Sequence, residues 1–160
     1  MPEIQERHKK LAFYGVPSSS TAGYVLTRMH FFTKLTTNKN PLEHNVKYVD
    51  EATQRNTITG YDTSIEYGFD KYKNDPVLTD IINITDKELT GDLAKRAILI
   101  VDTATDKAYL RDYSVIPGSE GDDANTYTFS GTFKANGELT TGTVTTSDNY
   151  NTVTFTADED

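Results

Sequence analysis

The sequence predicts a mainly β protein, a β-sandwich or rolled barrel of about eight strands with one flanking α-helix, on three observations. Threonine supplies 25 of 160 residues and stands beside ten Tyr and seven Phe, a composition that suits pleated, half-buried surfaces better than helices. Short runs of period-two alternation recur between turn residues such as Asn136 and Gly137. Only one stretch, opening at Asp75, carries a helical signature. A chain of 160 residues fits one domain, and a domain near this size buries roughly 70% of its unfolded surface without a disulfide or metal staple.

The elements follow in order. Residues 1–23 read as a flexible arm, because "GVPSSSTAG" offers little to bury. Residues 24–156 then form the β-domain, and residues 157–160 an acidic tail. In residues 24–36, Val25, Met29, Phe31 and Leu35 alternate against Arg28, His30 and Lys34, which predicts a half-buried strand. A second alternating run sets Leu42, His44, Val46 and Tyr48 on one face. The stretch "DEATQRNTITG", residues 50–60, is polar, as a hairpin extension or excursion loop is. "SIEYGFDKY" restores alternation through Ile65, Tyr67 and Phe69.

The helix opens with Asp75 as N-cap and Pro76 at the first helical position, where a missing N–H costs nothing. Val77, Leu78, Ile81 and Ile82 make the apolar stripe that packs on a sheet. Gly91 marks a stop, although Asn83, Thr85 and Asp86 are poor helix formers that favour an earlier one. "AKRAILIVD" then reads as a strand buried on both faces. In "KAYLRDYSVIP", Tyr109, Arg111, Tyr113 and Val115 alternate against Leu110, Asp112, Ser114 and Ile116, with "ATD" at residues 104–106 as the turn before it. Tyr127, Phe129, Gly131 and Phe133 share the next face. Asn136-Gly137 is a hairpin signal, a returning strand runs through Leu139 and Val144, and "NTVTFT" closes the series.

Several chemistries drop out. The chain has no cysteine, which removes thiolate nucleophiles, iron–sulfur sites and cysteine zinc sites. No apolar run approaches the roughly 18 residues of a membrane helix, and the amino terminus lacks a signal-peptide core, so an unprocessed soluble protein is expected. The net charge of −8 is uneven: residues 1–50 hold seven Lys or Arg against four acids, and residues 117–160 hold Lys134 against eight acids. This field repels a phosphate backbone, and sequence-specific nucleic-acid binding is not expected. His8, His30 and His44 read as solvated positions rather than general bases, and Glu66 and Asp70 as surface charges. Phosphate-loop, dinucleotide, nucleophile-elbow and paired-histidine motifs are missing, so neither an enzyme nor a cofactor is expected.

The stretch "SVIPGSEGDDANTYTFSGTFKANGE" is the one candidate ligand site, because Glu120, Asp122 and Asp123 are hard oxygen donors among glycines. A calcium loop of the helix–loop–helix kind needs a bidentate Glu at its twelfth position, and counting from Asp122 that position is Phe133. That motif fails. A looser calcium site stays open beside the plainer reading of a solvated bend.

The run "YVDEATQRNTITGYDTSIEYGFDKYKNDPVLTDIINITDKEL", followed by "RDYSVIPGSEGDDANTYTFSGTFKANGE", resembles the phage tail tube proteins, or major tail proteins, of phages and prophages of Gram-positive bacteria. The likeness covers about residues 28–155 through several separate signatures. It implies a β-sandwich or rolled barrel with a flanking helix, whose copies form hexameric rings that stack into a hollow tail tube conducting DNA. The implied partners are further copies of the chain, a tape-measure protein, and tail terminator and distal tail proteins. The implied location is the virion tail, reached from the host cytoplasm. It further implies that the excursion around residues 48–60 meets the neighbouring subunit and the next ring, with Tyr48, Asp50, Glu51, Gln54 and Arg55 as candidate contacts. Glu120, Asp122 and Asp123 at the acidic bend are candidates for a subunit or ring-stacking contact, for lining the bore, or for keeping the bend in water. The alternative from a different class is a monomeric calcium- or carbohydrate-binding β-sandwich module.

Overall fold

Two neighbouring strands that bury both faces organise the molecule. The computed structural model describes residue 4 and residues 6–17, 24–121 and 124–158. Its strands are β1 (Lys10–Pro17), β2 (Tyr24–Arg28), β3 (Phe32–Asn38), β4 (Pro41–Val46), β5 (Arg55–Tyr61), β6 (Ser64–Asp70), β7 (Lys95–Asp102), β8 (Lys107–Glu120), β9 (Thr128–Ala135), β10 (Thr140–Thr145) and β11 (Thr152–Ala157). One α-helix, α1 (Pro76–Asp86), lies between β6 and β7.

Strands β10, β11, β2, β1, β7 and β8 pair antiparallel in that order, and β10 pairs back onto β8 from Thr140↔Leu110 to Thr143↔Lys107. The six therefore close on themselves as a rolled barrel. Every one of them contributes to a single apolar cluster: Phe13 from β1, Leu26 from β2, Leu99 and Val101 from β7, Ala108 from β8, Val144 from β10 and Val153 from β11. That cluster is the barrel interior, filled by side chains as a small barrel must be.

The opposite faces of β1 and β7 are buried too. Tyr14 and Ile98 join a second cluster with Ile65, Tyr67, Phe69, Tyr113, Val115, Phe129 and Phe133, roofed by Val77, Leu78, Ile81 and Ile84 of α1. Because β8 has 14 residues, its far half runs past the barrel, where Tyr113 to Glu120 pair with β9 and the sheet continues through β6 to β3. Period-two alternation thus splits β1 and β7 between two cores.

The helix is fixed by its cap and by one part-buried ion pair. Asp75 accepts from the backbone N–H of Val77 (3.0 Å) and Leu78 (3.1 Å), satisfying two donors that a helix start leaves open. On the underside, the Asp80 carboxylate accepts from the Tyr14 hydroxyl and from Arg96 Nε at 2.8 Å. Burial, and next the Asp80 charge, push the Tyr14 hydroxyl far above its ordinary pKa, which keeps it a neutral donor. A strand of the barrel, the helix and β7 are thereby tied at one point.

Several expectations are corrected. Residues 10–17 do not form an arm: they form β1, inside the sheet, with Phe13 and Tyr14 wholly buried. Residues 1–3, 5 and 18–23 lie outside the described residues. The single strand expected over residues 24–36 is two, broken at Met29 to Phe31, where Phe31 has φ 67° and swings out to solvent. Among the described residues eleven strands stand in place of about eight. The helix ends at Asp86, and Ile84 rather than Ile82 completes its buried stripe, Ile82 being half-buried beside it. Asn136-Gly137 does not join a hairpin. Strands β9 and β10 do not pair; both run antiparallel to β8, one along each half of it, and Asn136 marks the step between them through its N–H to Asp112 O (2.8 Å). Ala157, assigned to an acidic tail, is the last residue of β11.

Candidate interaction surface

The feature with least to do for the chain's own stability is the β4–β5 hairpin. Strands β3 and β6 pair as far as Asn38↔Ser64, and the chain between them leaves the sheet as a separate two-stranded ribbon. Its base is braced: Asn40, at φ 43°, donates Nδ2 to Asp62 O (3.0 Å) and accepts on its carbonyl from Asp62 N–H (3.1 Å). From there β4 and β5 pair from Pro41↔Tyr61 to Val46↔Arg55.

The expected burial of one β4 face does not occur among the described residues, because neither core packs against the ribbon. Leu42, Ile58 and Tyr61 are each more than half exposed, and no residue of β4 or β5 belongs to either core. An isolated two-stranded hairpin is marginal in water, and contiguous exposed apolar side chains mark surfaces that are covered in an assembly.

The tip of the ribbon is locally ordered. Arg55 Nε lies 3.0 Å from each Glu51 carboxylate oxygen, Arg55 Nη2 lies 3.0 Å from Oε2, and the guanidinium sits 5.7 Å from the Tyr48 ring centre. Glu51 N–H donates to Tyr48 O at 3.1 Å. Of the five residues singled out in this stretch, Tyr48, Glu51 and Arg55 therefore form one unit. Gln54 bonds instead to Asn56 (3.2 Å), and Asp50 is exposed without an ion pair among the described residues. Val49, which sequence reasoning did not single out, is the most exposed large apolar residue, at 107%. Isolated apolar residues in a polar run carry no periodic signal, so the pattern hid it.

At the acidic bend, Glu120 is the exposed last residue of β8, followed by Gly121 at φ 73°, whose N–H donates to Thr128 O at 2.7 Å. The Glu120 charge raises the pKa of the neighbouring Tyr127 hydroxyl. Asp122 and Asp123 lie outside the described residues. Among the described residues no group of three or more His, Asp or Glu could hold a metal ion. His44 is exposed on β4, His8 pairs with Glu6 at 3.2 Å on the surface, and His30 packs beside the Phe31 ring. None of the three stands beside a nucleophile.

A second surface feature went unpredicted. Helix α1, about 16 Å long for its 11 residues, covers only part of the sheet face beneath it. The uncovered remainder is a groove of about 480 Å³ whose floor includes Leu35, Ile65, Ile100 and Phe133 and whose walls include Arg7, Lys10, Lys39 and Arg111.

No protein-family model matches the chain, and no curated protein matches it. Among solved structures, the chain is similar to one in the tail of an empty GTA particle computed with C6 symmetry, with TM-score 0.62 and 9% identity over 85% of this chain and 97% of that one. A second similar chain comes from the six-fold symmetrised baseplate of the anti-feeding prophage, with TM-score 0.45 and 9% identity over 88% of this chain and 95% of that one. The first likeness, spanning nearly the whole of both chains, establishes a shared fold.

Proposed function

We propose that this chain is a structural tail protein: six copies form a ring, and rings stack into a hollow tube through which DNA passes. The observation that carries the reading is the β4–β5 hairpin, a braced ribbon whose Leu42, Val49, Ile58 and Tyr61 side chains have no partner within the chain's cores. The fold it projects from is shared with a chain of a C6-symmetric tail. A closed barrel supplies a rigid body, and a projecting arm gives a head-to-tail contact that closes into a ring when the rotation allows. The net charge of −8 fits a conduit that DNA slides through without adhering. In this role the protein catalyses nothing, resides in the virion tail, and meets tape-measure, terminator and distal tail proteins at the tube's interior and ends.

The test is negative-stain electron microscopy of the concentrated protein, with sedimentation to follow its mass. Wild-type protein gives six-fold rings or tubes, whereas Val49→Asp with Tyr48→Ser stays monomeric at unchanged melting temperature. Wild-type protein that remains monomeric at every concentration, and whose melting temperature rises with calcium, would refute the reading in favour of a binding module.

A further inference from the structure

The groove on the sheet face beyond α1 carries cations that form no ion pair with a described residue. Its floor is the end of the helix-covered cluster that α1 is too short to reach, and its walls carry four cations, Arg7, Lys10, Lys39 and Arg111. None of the four makes an ion pair within 4 Å among the described residues. Arg7 spends its donors on carbonyls, Nη1 to Lys10 O at 2.9 Å and Nη2 to Leu35 O at 3.3 Å. Arg111 Nε is buried with no hydrogen-bond partner. A buried donor left open, with part-exposed Leu35 and Ile100 and exposed Tyr109 and Leu139 around the groove, suits an occupant with apolar side chains next to a carboxylate.

We infer that the groove is the socket for the hairpin tip of a second copy of this chain, with Tyr48 and Val49 on the apolar floor and Asp50 among the cations. The inference rests on the proposed self-assembly and names the partner surface. Three observations carry it. First, the tip presents the required chemistry: Val49 is fully exposed, Asp50 follows it, and Arg55 already neutralises Glu51, leaving Asp50 as the open carboxylate. Second, the tip cannot serve its own groove as an extended ribbon. Lys39, at the hairpin base, lines the groove, and the six residues of β4 carry the tip about 20 Å away. Third, a contact of groove on groove would set four cations against four, so the groove suits the tip better than a second groove. A tip-in-groove contact satisfies all three, and where it runs head-to-tail it generates rings or filaments.

The absence of cysteine makes the contact directly testable in the full chain. Val49→Cys combined with Leu139→Cys, whose residue lines the groove, should give an intermolecular disulfide ladder on mild oxidation, since bridging requires Cα atoms within about 7 Å. The control pair is Val49→Cys with Leu93→Cys, an exposed residue of the turn after α1. An equal ladder from the control, or an intrachain bridge alone, overturns the inference. In the untagged chain, Asp50→Lys or Lys39→Glu should each weaken association about tenfold and the two together restore it, while Lys47→Glu at the same tip does not weaken it. Failure of the swap to restore association counts against the socket. Wild-type tubes with no ladder from the first pair would leave the tube reading standing and remove the socket, whereas a ladder from discrete oligomers without tubes would do the reverse.

Discussion

Replacing Asp80 with alanine tests whether the helix, the barrel and β7 are held at one buried point. Asp80 and Arg96 side chains are 14% and 13% exposed, and Tyr14 is wholly buried. Removing the carboxylate leaves the Tyr14 hydroxyl without its acceptor in a site water does not reach, a cost of about 1–3 kcal/mol. Arg96 loses its counter-charge but keeps the carbonyls of Leu93 (3.1 Å) and Lys95 (2.8 Å), which moderates the loss. The total should be about 3–4 kcal/mol, near the low end for removing one partner of a buried pair. For a domain of this size that lowers the melting temperature by roughly 6–16 °C. Urea unfolding of dilute, monomeric protein followed by circular dichroism measures it. Tyr14→Phe in the Asp80→Ala background removes the orphaned hydroxyl and should recover about 1 kcal/mol or more. A loss below about 1 kcal/mol for Asp80→Ala, or strict additivity in the double variant, would refute the idea of a shared anchor.

Three further outcomes follow from the same packing. A Cβ on Gly131 would stand 2.5 Å from Ile116 O and 2.6 Å from the Tyr67 hydroxyl, and Tyr67 is held by stacking on Phe133 at 4.5 Å. Gly131→Ala should therefore cost about 3 kcal/mol, while Gly60→Ala in the open hairpin, 3.9 Å from Leu42 Cδ1, changes the urea midpoint little. Asp75→Ala removes the oxygen that accepts from two helix-start N–H groups and should cost about 1–2 kcal/mol, with Asp75→Asn retaining most of the stability. Alkaline pH should unfold the protein, because burial pushes the Tyr67 hydroxyl up to about 12. The stabilising neutral form is intact below pH 10, and Tyr67 alone contributes a loss of about 1.4 kcal/mol per pH unit from there toward 12 as the unfolded chain alone ionises, beside the loss from Tyr14, whose hydroxyl is pushed up further. Tyr67→Phe should make the slope shallower by its share, and an unchanged slope would remove Tyr67 from the account.

What could be read from sequence depended on whether an element faces water on one side. Strand β6, with Ile65, Tyr67 and Phe69 inward, announced itself by alternation, and α1 by its N-cap, its proline and its stripe. Strand β1 did not, because Leu11 and Phe13 face the barrel interior and Ala12 and Tyr14 face the helix side. A strand buried on both faces shows no polar phase, and the small residues after it suggested an arm instead. The Asn136-Gly137 step misled for a different reason. Turn chemistry fixes a local bend, but whether the flanking strands pair with each other or with a third is decided by β8, long enough to hold both. At the candidate surface, the tip stretch could be singled out from its own residues, but the groove could not: Arg7, Lys39, Arg111 and Leu139 come from four separate segments.

The barrel's closure also narrows how copies can meet. A threonine-rich sheet could in principle extend from subunit to subunit by edge pairing, yet β10 on β8 closes the barrel and leaves the run β8–β9–β6–β3 to end at β3. That edge is already occupied in part, since Leu35 O accepts from Arg7, and it carries Lys34, which pairs with Glu66 at 3.5 Å. Charged side chains on an edge strand discourage further pairing. With the edges of the large sheet closed or guarded, the open backbone edges among the described residues are those of the β4–β5 ribbon. The proposed association therefore runs through that ribbon and its apolar, carboxylate-bearing tip, and in its head-to-tail form the contact repeats from copy to copy.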